Sequence, residues 1–318
     1  MLRGGGEMMV RGHRHYTLSC CMAAMLAGCG GPPPLIAGGA MLAIAPRLPR
    51  TNREVQYFSS YENDTVIEFD YPKSESPIGT ITGVKEAWGE CTNGARTFWV
   101  VASGSDQVLQ FKAGGTKPIA TLSTASTGVP SNCAIDPIMG NLAVAINSVG
   151  GYVVIFKPGS TYGTVLNAGL LEDFSDGYDA NGDLFVDGYS NSSSHPFQLV
   201  ELPKGSSTFE IIVTSNTVSF PGTVQWDGTY LTIGDPGSSD SHIYRYHVIG
   251  TKATLKGTVS LAYSGVCNQT WIARPYVYCP SAVNNVGQVY KYPAGGSPVA
   301  DLAGSFNVPA GVVSLRVR

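Results

Sequence analysis

The chain has 318 residues, enough for one large domain or two ordinary ones, and 43% of them are hydrophobic, which argues against a disordered protein. Only 14% are charged, and 20 Lys and Arg stand against 23 Asp and Glu, for a net charge of −3. Because the charge is mildly acidic and no basic block occurs, we expect neither nucleic-acid binding nor electrostatic attachment to a membrane surface.

The first 28 residues have the pattern of a lipoprotein signal peptide. A basic start is followed by "YTLSCCMAAMLAG", an apolar stretch too short to span a bilayer. The segment ends in "LAGC", which resembles the lipobox of bacterial lipoproteins and implies that Cys29 is lipidated. Gly30 follows where lipoproteins retained at the inner membrane typically carry Asp, so the resemblance implies the outer membrane. An ordinary signal peptide with a chance Cys is the alternative.

Residues 29–53 contain the lipidation site and then a stretch rich in Pro, Gly and Ala. Such a composition is typical of a flexible tether that holds a domain away from a membrane. We therefore expect the cell envelope as the location, facing the periplasm or the exterior, with the acyl chains as the only membrane contact.

Residues 54–318 carry no sustained helical periodicity. Short β-rich runs such as "DTVIEFDY", "TFWVVASG" and "YVVIF" alternate with turn residues at close intervals. This pattern is typical of a sandwich, a barrel or a propeller, and a repeat period distinguishes among them.

One such period runs through the chain. The stretch "GVPSNCAIDPIMGNLAVA" at 128–145 predicts a turn, a strand that starts at Cys133, a tight turn from Asp136 to Asn141 and an apolar strand. Equivalent positions recur every 42–48 residues, and each is followed by an aromatic-rich strand and a Gly or Pro turn. These register positions are Cys91, Cys133, Asp176, Val224, Cys267 and Val312.

Four strands in a unit of this length predict the blade of a β-propeller. The C-terminal "PAGVVSLRV" matches only a first strand, and the N-terminal segment matches only strands two to four. We therefore predict that residues 309–317 pair beside residues 55–60. The fold class expected is an all-β, six-bladed propeller of four-stranded blades, closed by its N- and C-terminal strands.

The pattern "P-x-x-C-A-x-D-x-x-x-G-N-L" and the repeated turns resemble the NHL-repeat and gluconolactonase-type propellers, over residues 54–318 and closest to lipoprotein members of unassigned function. Gluconolactonase-type propellers hold a divalent metal at their axis through Glu, Asn and Asp. The resemblance implies Glu90, Asn132 and Asp176 as oxygen ligands for an ion such as calcium. The competing interpretation is polar lining and turn capping.

Other candidate chemistry is weaker. "DANGD", Asp179 to Asp183, has part of a calcium-loop spacing but lacks the Gly and the final Glu, so a hairpin turn is favoured. The three histidines after the signal segment fall in outer strand regions. Trp88 and Trp226 are candidates for a ligand site at the rim, whereas Trp99 and Trp271 are expected to pack between blades. Core packing is the competing role for all four.

Four cysteines remain after processing. We predict a disulfide between Cys267 and Cys279, placed across a hairpin centred on Ala273, because an envelope protein meets oxidising conditions. Cys91 and Cys133 occupy equivalent positions in adjacent units, and they either join two blades or remain buried thiols.

The function expected is that of a monomeric, non-enzymatic binding protein. It would take an envelope protein or a small ligand at a loop face or in the axial funnel, with no cofactor assigned. The alternative is a metal-dependent lactonase or hydrolase that uses Glu90, Asn132 and Asp176. No serine-nucleophile elbow, zinc-protease motif or helix-linked phosphate loop is present in the sequence.

Overall fold

A computed structural model describes residues 53–94, 96–124 and 127–317. The predicted signal peptide, the lipidation site Cys29 and nearly all of the predicted tether lie outside the described residues. Within them, no helix is long and apolar enough to cross a membrane.

The described part of the chain is all-β, with 24 strands and two 3₁₀ turns at Tyr61–Asn63 and Ser103–Ser105. Turns rich in Gly and Asp separate the strands, as the sequence predicts. The strands are β1 (Arg53–Ser60), β2 (Thr65–Phe69), β3 (Pro77–Thr82), β4 (Ala87–Cys91), β5 (Thr97–Ala102), β6 (Gln107–Lys112), β7 (Ala120–Ser123), β8 (Val129–Ile135), β9 (Leu142–Asn147), β10 (Tyr152–Phe156), β11 (Gly163–Asn167), β12 (Leu170–Tyr178), β13 (Leu184–Ser190), β14 (Phe197–Leu202), β15 (Glu210–Thr214), β16 (Val224–Trp226), β17 (Leu231–Asp235), β18 (Ser241–Ile249), β19 (Lys252–Leu261), β20 (Trp271–Ala273), β21 (Tyr276–Ser281), β22 (Val286–Lys291), β23 (Ala300–Leu302) and β24 (Pro309–Val317).

These strands form several sheets, in which neighbouring strands run antiparallel with one exception. Four have four strands each: sheet A in the order β24-β1-β2-β3, sheet B from β4 to β7, sheet C from β8 to β11, and sheet F from β20 to β23. The remaining eight strands form one larger sheet, whose D half runs from β12 to β15 and whose E half runs from β16 to β19.

The joined D and E halves differ from the expectation of separate units. Their outer strands β15 and β19 pair in parallel at only two positions, Val213 with Lys252 and Thr214 with Ala253. The β18–β19 hairpin is long, and its ladder continues to Ile249 opposite Lys252. This extension brings the start of β19 against the otherwise free edge of β15.

The two ends of the described chain meet in sheet A. Strand β24 pairs antiparallel with β1, from Arg53 opposite Val317 to Ser60 opposite Pro309. The prediction that residues 309–317 lie beside residues 55–60 is confirmed. The pairing gives the N-terminal strand a neighbour on both sides, which removes an exposed edge.

Six apolar clusters lie between successive sheets. Because neighbouring residues in a strand point to opposite faces, a middle strand feeds the cluster on each side. In β9, Ala143 packs with residues of the D half, whereas Val144 packs with residues of sheet B. The "LAVA" run is apolar for this reason, since both of its faces are covered. In the same way Phe58 packs toward sheet F and Tyr57 packs toward sheet B.

The hairpin of residues 128–145 has the predicted form, with one correction. Asp136 Oδ1 accepts the amides of Ile138 and Met139, and Gly140 has a φ of 71°, which closes the tight turn. The strand before the turn begins at Val129, however, so Cys133 lies within it rather than at its start.

Candidate functional site

The first strands of the sheets and sheet halves are β24, β4, β8, β12, β16 and β20. A polar belt links these strands or the residues just before them, and we define it by Gln269, Asn132, Ser175 and Thr223. The Gln269 amide nitrogen donates to the Glu90 carbonyl oxygen at 2.7 Å and to Asn132 Oδ1 at 3.1 Å. Its amide oxygen accepts the Glu90 and Val312 amides at 2.9 and 3.0 Å. One glutamine therefore contacts three other first strands, β4, β8 and β24.

The belt continues around the molecule. Asn132 Nδ2 donates to Ser175 Oγ at 2.6 Å, and the same hydroxyl accepts the Val224 amide at 3.1 Å. Thr223 Oγ1 accepts the Thr270 amide at 2.5 Å, next to Gln269. Hydrogen bonds and the peptide links Thr223–Val224 and Gln269–Thr270 thus join four first strands, or the residues just before them, into a ring. Gln269 attaches the other two, β4 and β24, to this ring.

This arrangement decides what Asn132 can do. Its amide oxygen already accepts the Cys133 amide at 2.7 Å and the Gln269 amide, and its nitrogen donates to Ser175. A carbonyl oxygen has two lone pairs, so no acceptor capacity remains for a metal ion. The geometry of Asn132 does not fit the ligand role that the family resemblance implied.

Glu90 is placed differently from its two predicted partners. Its side chain is fully buried. In the described structure no donor lies at hydrogen-bonding distance and angle from either carboxylate oxygen. Burial raises the pKa of Glu90 well above its ordinary value, and the Val313 amide opposes that rise only in part. Glu90 does not line the cavity described next, whereas Asn132 and Asp176 do.

A cavity of about 810 Å³ opens where the turns between first and second strands converge, and we call it the main cavity. Five stretches line it: 91–94, 132–140, 176–180, 223–226, and the pair Gln269 and Trp271. Three belt residues, Asn132, Thr223 and Gln269, form part of its wall. The cavity is thus assembled from five of the six sheets or sheet halves, and its size is within the usual range for sites that hold a small molecule.

Two of the four tryptophans line this cavity and two do not. Trp226 and Trp271 line the main cavity, and both are partly exposed. Trp226 was predicted as a candidate for a ligand site. Trp271 was expected to pack between blades, and it does pack against two of the apolar clusters, but it also lines the cavity. Trp88, the other predicted candidate, does not line the main cavity, and its ring packs edge-on against Tyr61 with centroids 5.1 Å apart. Trp99 lines a smaller groove of about 450 Å³ between sheets B and C.

Three aspartates lie close together in the D half. Asp187 accepts the amides of Ser175 and Gly222, but the carboxylates of Asp173 and Asp176 have no hydrogen-bond partner in the described structure. Burial, with the charge of Asp176 as a smaller cause, raises the pKa of Asp173 to about 8. Burial alone raises the pKa of Asp176 to about 7. Both groups are therefore poised to gain or lose a proton near neutral pH.

The remaining candidates take structural roles. Asp179 Oδ1 accepts the amides of Asn181 and Asp183 within the β12–β13 turn, so "DANGD" is a hairpin turn whose first carboxylate is occupied. No group of three or more His, Cys, Asp or Glu suited to a metal occurs among the described residues. His195 precedes β14, and His242 and His247 lie on β18, so all three belong to third strands and none lines the main cavity.

Both cysteine pairs are joined. A disulfide joins Cys91 of sheet B to Cys133 of sheet C, with their Cα atoms 5.6 Å apart. A second disulfide joins Cys267 to Cys279, with their Cα atoms 5.4 Å apart. The predicted register of the second hairpin was wrong. Ala273 pairs with Tyr276, so the turn is centred between Arg274 and Pro275 and Cys267 precedes the strand. The bond forms because the segment before β20 folds back alongside β21, where Cys267 bridges Ser281.

Comparison with known proteins supports the fold alone. No protein-family model and no curated protein matches the sequence. A solved structure of a nidogen/laminin complex superposes with a TM-score of 0.67 at 11% identity, over 82% of this chain and 98% of that one. Proteins of unknown function from Bacteroides caccae (TM-score 0.59, 11% identity, 83% of this chain and 100% of that one) and from Desulfotomaculum acetoxidans DSM 771 (0.56, 12%, 84% and 100%) are also similar. The described part of the chain is therefore all-β and similar in fold to β-propeller structures.

Proposed function

We propose that this protein is a non-enzymatic binding protein, and that it takes a small ligand in the main cavity. The observation that carries the proposal is the cavity itself. It is concave, about 810 Å³ in volume, and lined by two tryptophans together with amide, hydroxyl and carboxylate groups. Binding sites for small molecules combine such apolar walls with a few polar groups that orient the ligand.

The finer architecture proposed is a six-bladed propeller. Its support is the cyclic order of the six apolar clusters, which fall between A and B, B and C, C and D, D and E, E and F, and F and A. The D and E halves have their own first strands and an apolar cluster between them, so we count them as two blades whose rims touch. On this reading the main cavity lies at one end of the central channel.

A metal-dependent lactonase or hydrolase remains the alternative. One observation favours it: the carboxylates of Glu90 and Asp176 are buried, and no other side chain of the described residues pairs with them. The filled acceptor sites of Asn132 weigh against it. Elemental analysis of the purified protein decides between the two, since a stoichiometric ion that is lost in Glu90→Gln would support the enzyme.

Attachment to the cell envelope is a further part of the proposal, and it rests on the "LAGC" sequence. A Cys29→Ala variant should lose the mass of the acyl chains and appear in the soluble fraction. Cys29→Ala protein that still partitions with the membrane would contradict the anchor.

The binding proposal is tested with the full-length protein in non-ionic detergent. Fractions of a native envelope extract are screened for a rise in melting temperature, because a ligand that binds only the folded state stabilises it. Trp226→Ala should abolish the shift. Trp99→Ala, which alters the smaller groove instead, is the matched control and should retain it. A shift that survives Trp226→Ala and is lost in Trp99→Ala would place the site in the smaller groove.

A further inference from the structure

We infer that the ligand of the main cavity is an organic cation with an apolar body, held by the uncompensated negative charge of the cavity wall and by its indole rings. The inference rests on the proposed function, because it names the chemical class that the same cavity would select. It is carried by the charges in the wall, by the absence of internal partners for them, and by the aromatic lining.

Every charged side chain that lines the main cavity is acidic. Asp136, Asp176 and Asp179 contribute to the wall, and no Lys, Arg or His occurs among the described residues that line it. Low-dielectric walls of one sign of charge concentrate the field inside a cleft. A cation entering the cavity is therefore attracted, an anion is repelled, and a neutral molecule gains nothing from charge.

These carboxylates have no cationic partner inside the protein. Asp136 and Asp179 accept backbone amides of their own turns, and neither takes part in an ion pair among the described residues. Among the described residues no other residue forms an ion pair or a hydrogen bond with the Asp176 carboxylate, and only 2% of Asp176 is exposed. An unpaired buried carboxylate is costly, so a positively charged ligand nearby would lower the free energy of its ionised form.

The raised pKa of Asp176, about 7, agrees with this placement. It is the direction expected for a carboxyl group that has lost its water and gained no opposite charge. No Lys, Arg or His lies in this wall among the described residues, so no lining group supplies that charge.

The apolar part of the ligand is indicated by the rest of the lining. Trp226 and Trp271 line the cavity. Among aromatic side chains, indole binds cations most strongly through its π face. At the tip of the β8–β9 turn, Ile138 and Met139 are 50% and 58% exposed and also line the cavity. A ligand with a charged group and a hydrocarbon body would contact all of these surfaces at once.

The test uses a matched pair of probes that differ in charge but hardly in shape. Choline and its neutral isostere 3,3-dimethylbutan-1-ol are titrated against the full-length protein by ligand-observed NMR. We expect choline to bind about tenfold more tightly, which corresponds to about 1.4 kcal/mol and lies within the range of cation–π and charge contacts. Acetate should show no binding.

Variants of the protein then test whether the preference for choline over its isostere arises in the main cavity. Asp176→Asn should reduce the advantage of choline with little effect on the isostere, and Trp226→Ala should weaken both probes. Trp99→Ala is the control and should change neither. If Asp176→Asn does not fold, Asp179→Asn serves instead, because the amide retains the Oδ1 acceptor of the turn while one negative charge is removed.

The outcomes separate this inference from the proposed function. Equal binding of the two probes that still depends on Trp226 would overturn the cationic ligand and leave a small-molecule site standing. The same conclusion follows if neither probe binds while an envelope fraction still raises the melting temperature in a way that depends on Trp226. Failure of both probes and of every fraction would overturn both.

Discussion

The side chain of Gln269 pairs with the backbone of Glu90 as if it were a neighbouring strand. Its nitrogen donates to the Glu90 carbonyl oxygen at 2.7 Å while its oxygen accepts the Glu90 amide at 2.9 Å. The two residues are 179 positions apart, and the pair is buried. Gln56 makes the same two-point contact with the backbone of Tyr71, and Gln225 makes it with Ile272.

Gln269→Ala should therefore destabilise the protein strongly. It leaves the Glu90 amide and carbonyl and the Val312 amide buried without their partner, and each such group costs about 1–3 kcal/mol. We expect a loss of about 3 kcal/mol or more in the free energy of unfolding, measured by urea denaturation. Gln198→Ala, at a half-buried position whose side chain makes no hydrogen bond in the described structure, should stay within about 0.5 kcal/mol. Equal effects of the two would refute the role of the belt.

The first strands approach one another so closely that Gly89 of β4 has no room for a side chain. A Cβ atom there would lie 2.6 Å from the carbonyl oxygen of Ser131 and 2.7 Å from Asn132 Oδ1. Gly89→Ala should cost about 2 kcal/mol or more, since it forces two backbones apart. Gly257→Ala is the matched control, because the nearest atom to its Cβ would be Arg245 Nη1 at 4.0 Å. Thermal unfolding of both variants measures the difference, and an unaffected Gly89→Ala would contradict the packing.

Removal of residues 309–318 should abolish cooperative unfolding rather than trim a tail. Strand β24 pairs with β1 along its length, and Val312, Val313 and Leu315 are buried in the two clusters on either side of sheet A. Circular dichroism with thermal melting tests the truncation. Arg316→Ala, at an exposed position of the same strand, should leave the melting temperature unchanged. A truncated protein with the melting temperature of the intact chain would show that the pairing of β24 with β1 is dispensable.

The two disulfides should contribute unequally. The loop closed by Cys91 and Cys133 spans 42 residues, whereas that closed by Cys267 and Cys279 spans 12. Loop-closure entropy then gives about 4 kcal/mol for the first and about 3 kcal/mol for the second. We expect the double alanine variant of the first pair to be the less stable in guanidinium denaturation. The reverse order would indicate that contacts of the folded state outweigh loop length. Peptide mapping without reductant checks that both bonds form.

Stability should fall as the pH rises from about 4 to about 8. In the folded protein the pKa of Asp173 is raised from 3.8 to about 8, so the native state holds a proton that the unfolded chain has released over this window. The free energy of unfolding then decreases with pH, by at most about 1.4 kcal/mol per pH unit for one such group. Asp176, with a pKa of about 7, acts in the same direction.

Asp173→Asn should make this dependence shallower, because the variant lacks one of the buried carboxyl groups that release a proton as the pH rises. Urea denaturation at pH 5 and pH 8.5 gives the change in the free energy of unfolding with pH. Asp301→Asn, at an exposed position, is the control and should show the same change as the unaltered protein. A slope that is the same in all three proteins would show that Asp173 titrates normally.

The sequence by itself predicted the all-β class, the pairing of the chain ends and the Cys267–Cys279 pair, and it left open whether Cys91 and Cys133 are joined. These features follow from local signals: alternating apolar residues, turn residues at regular spacing, and a strand missing at one end that is present at the other. The register of the hairpin after Cys267 escaped the same reasoning, because its turn uses Arg274 and Pro275 rather than the Gly and Asn of the other units.

Only the tertiary structure decided which side chains meet. Gln269, Ser175 and Thr223 carry no motif, yet they form the belt, because their partners lie 43 to 179 residues away on other sheets. The placement of Trp271 in the main cavity and of Trp88 outside it was settled in the same way. The offset and rotation between adjacent first strands determine these contacts, and they arise from the packing of whole sheets, which no local pattern encodes.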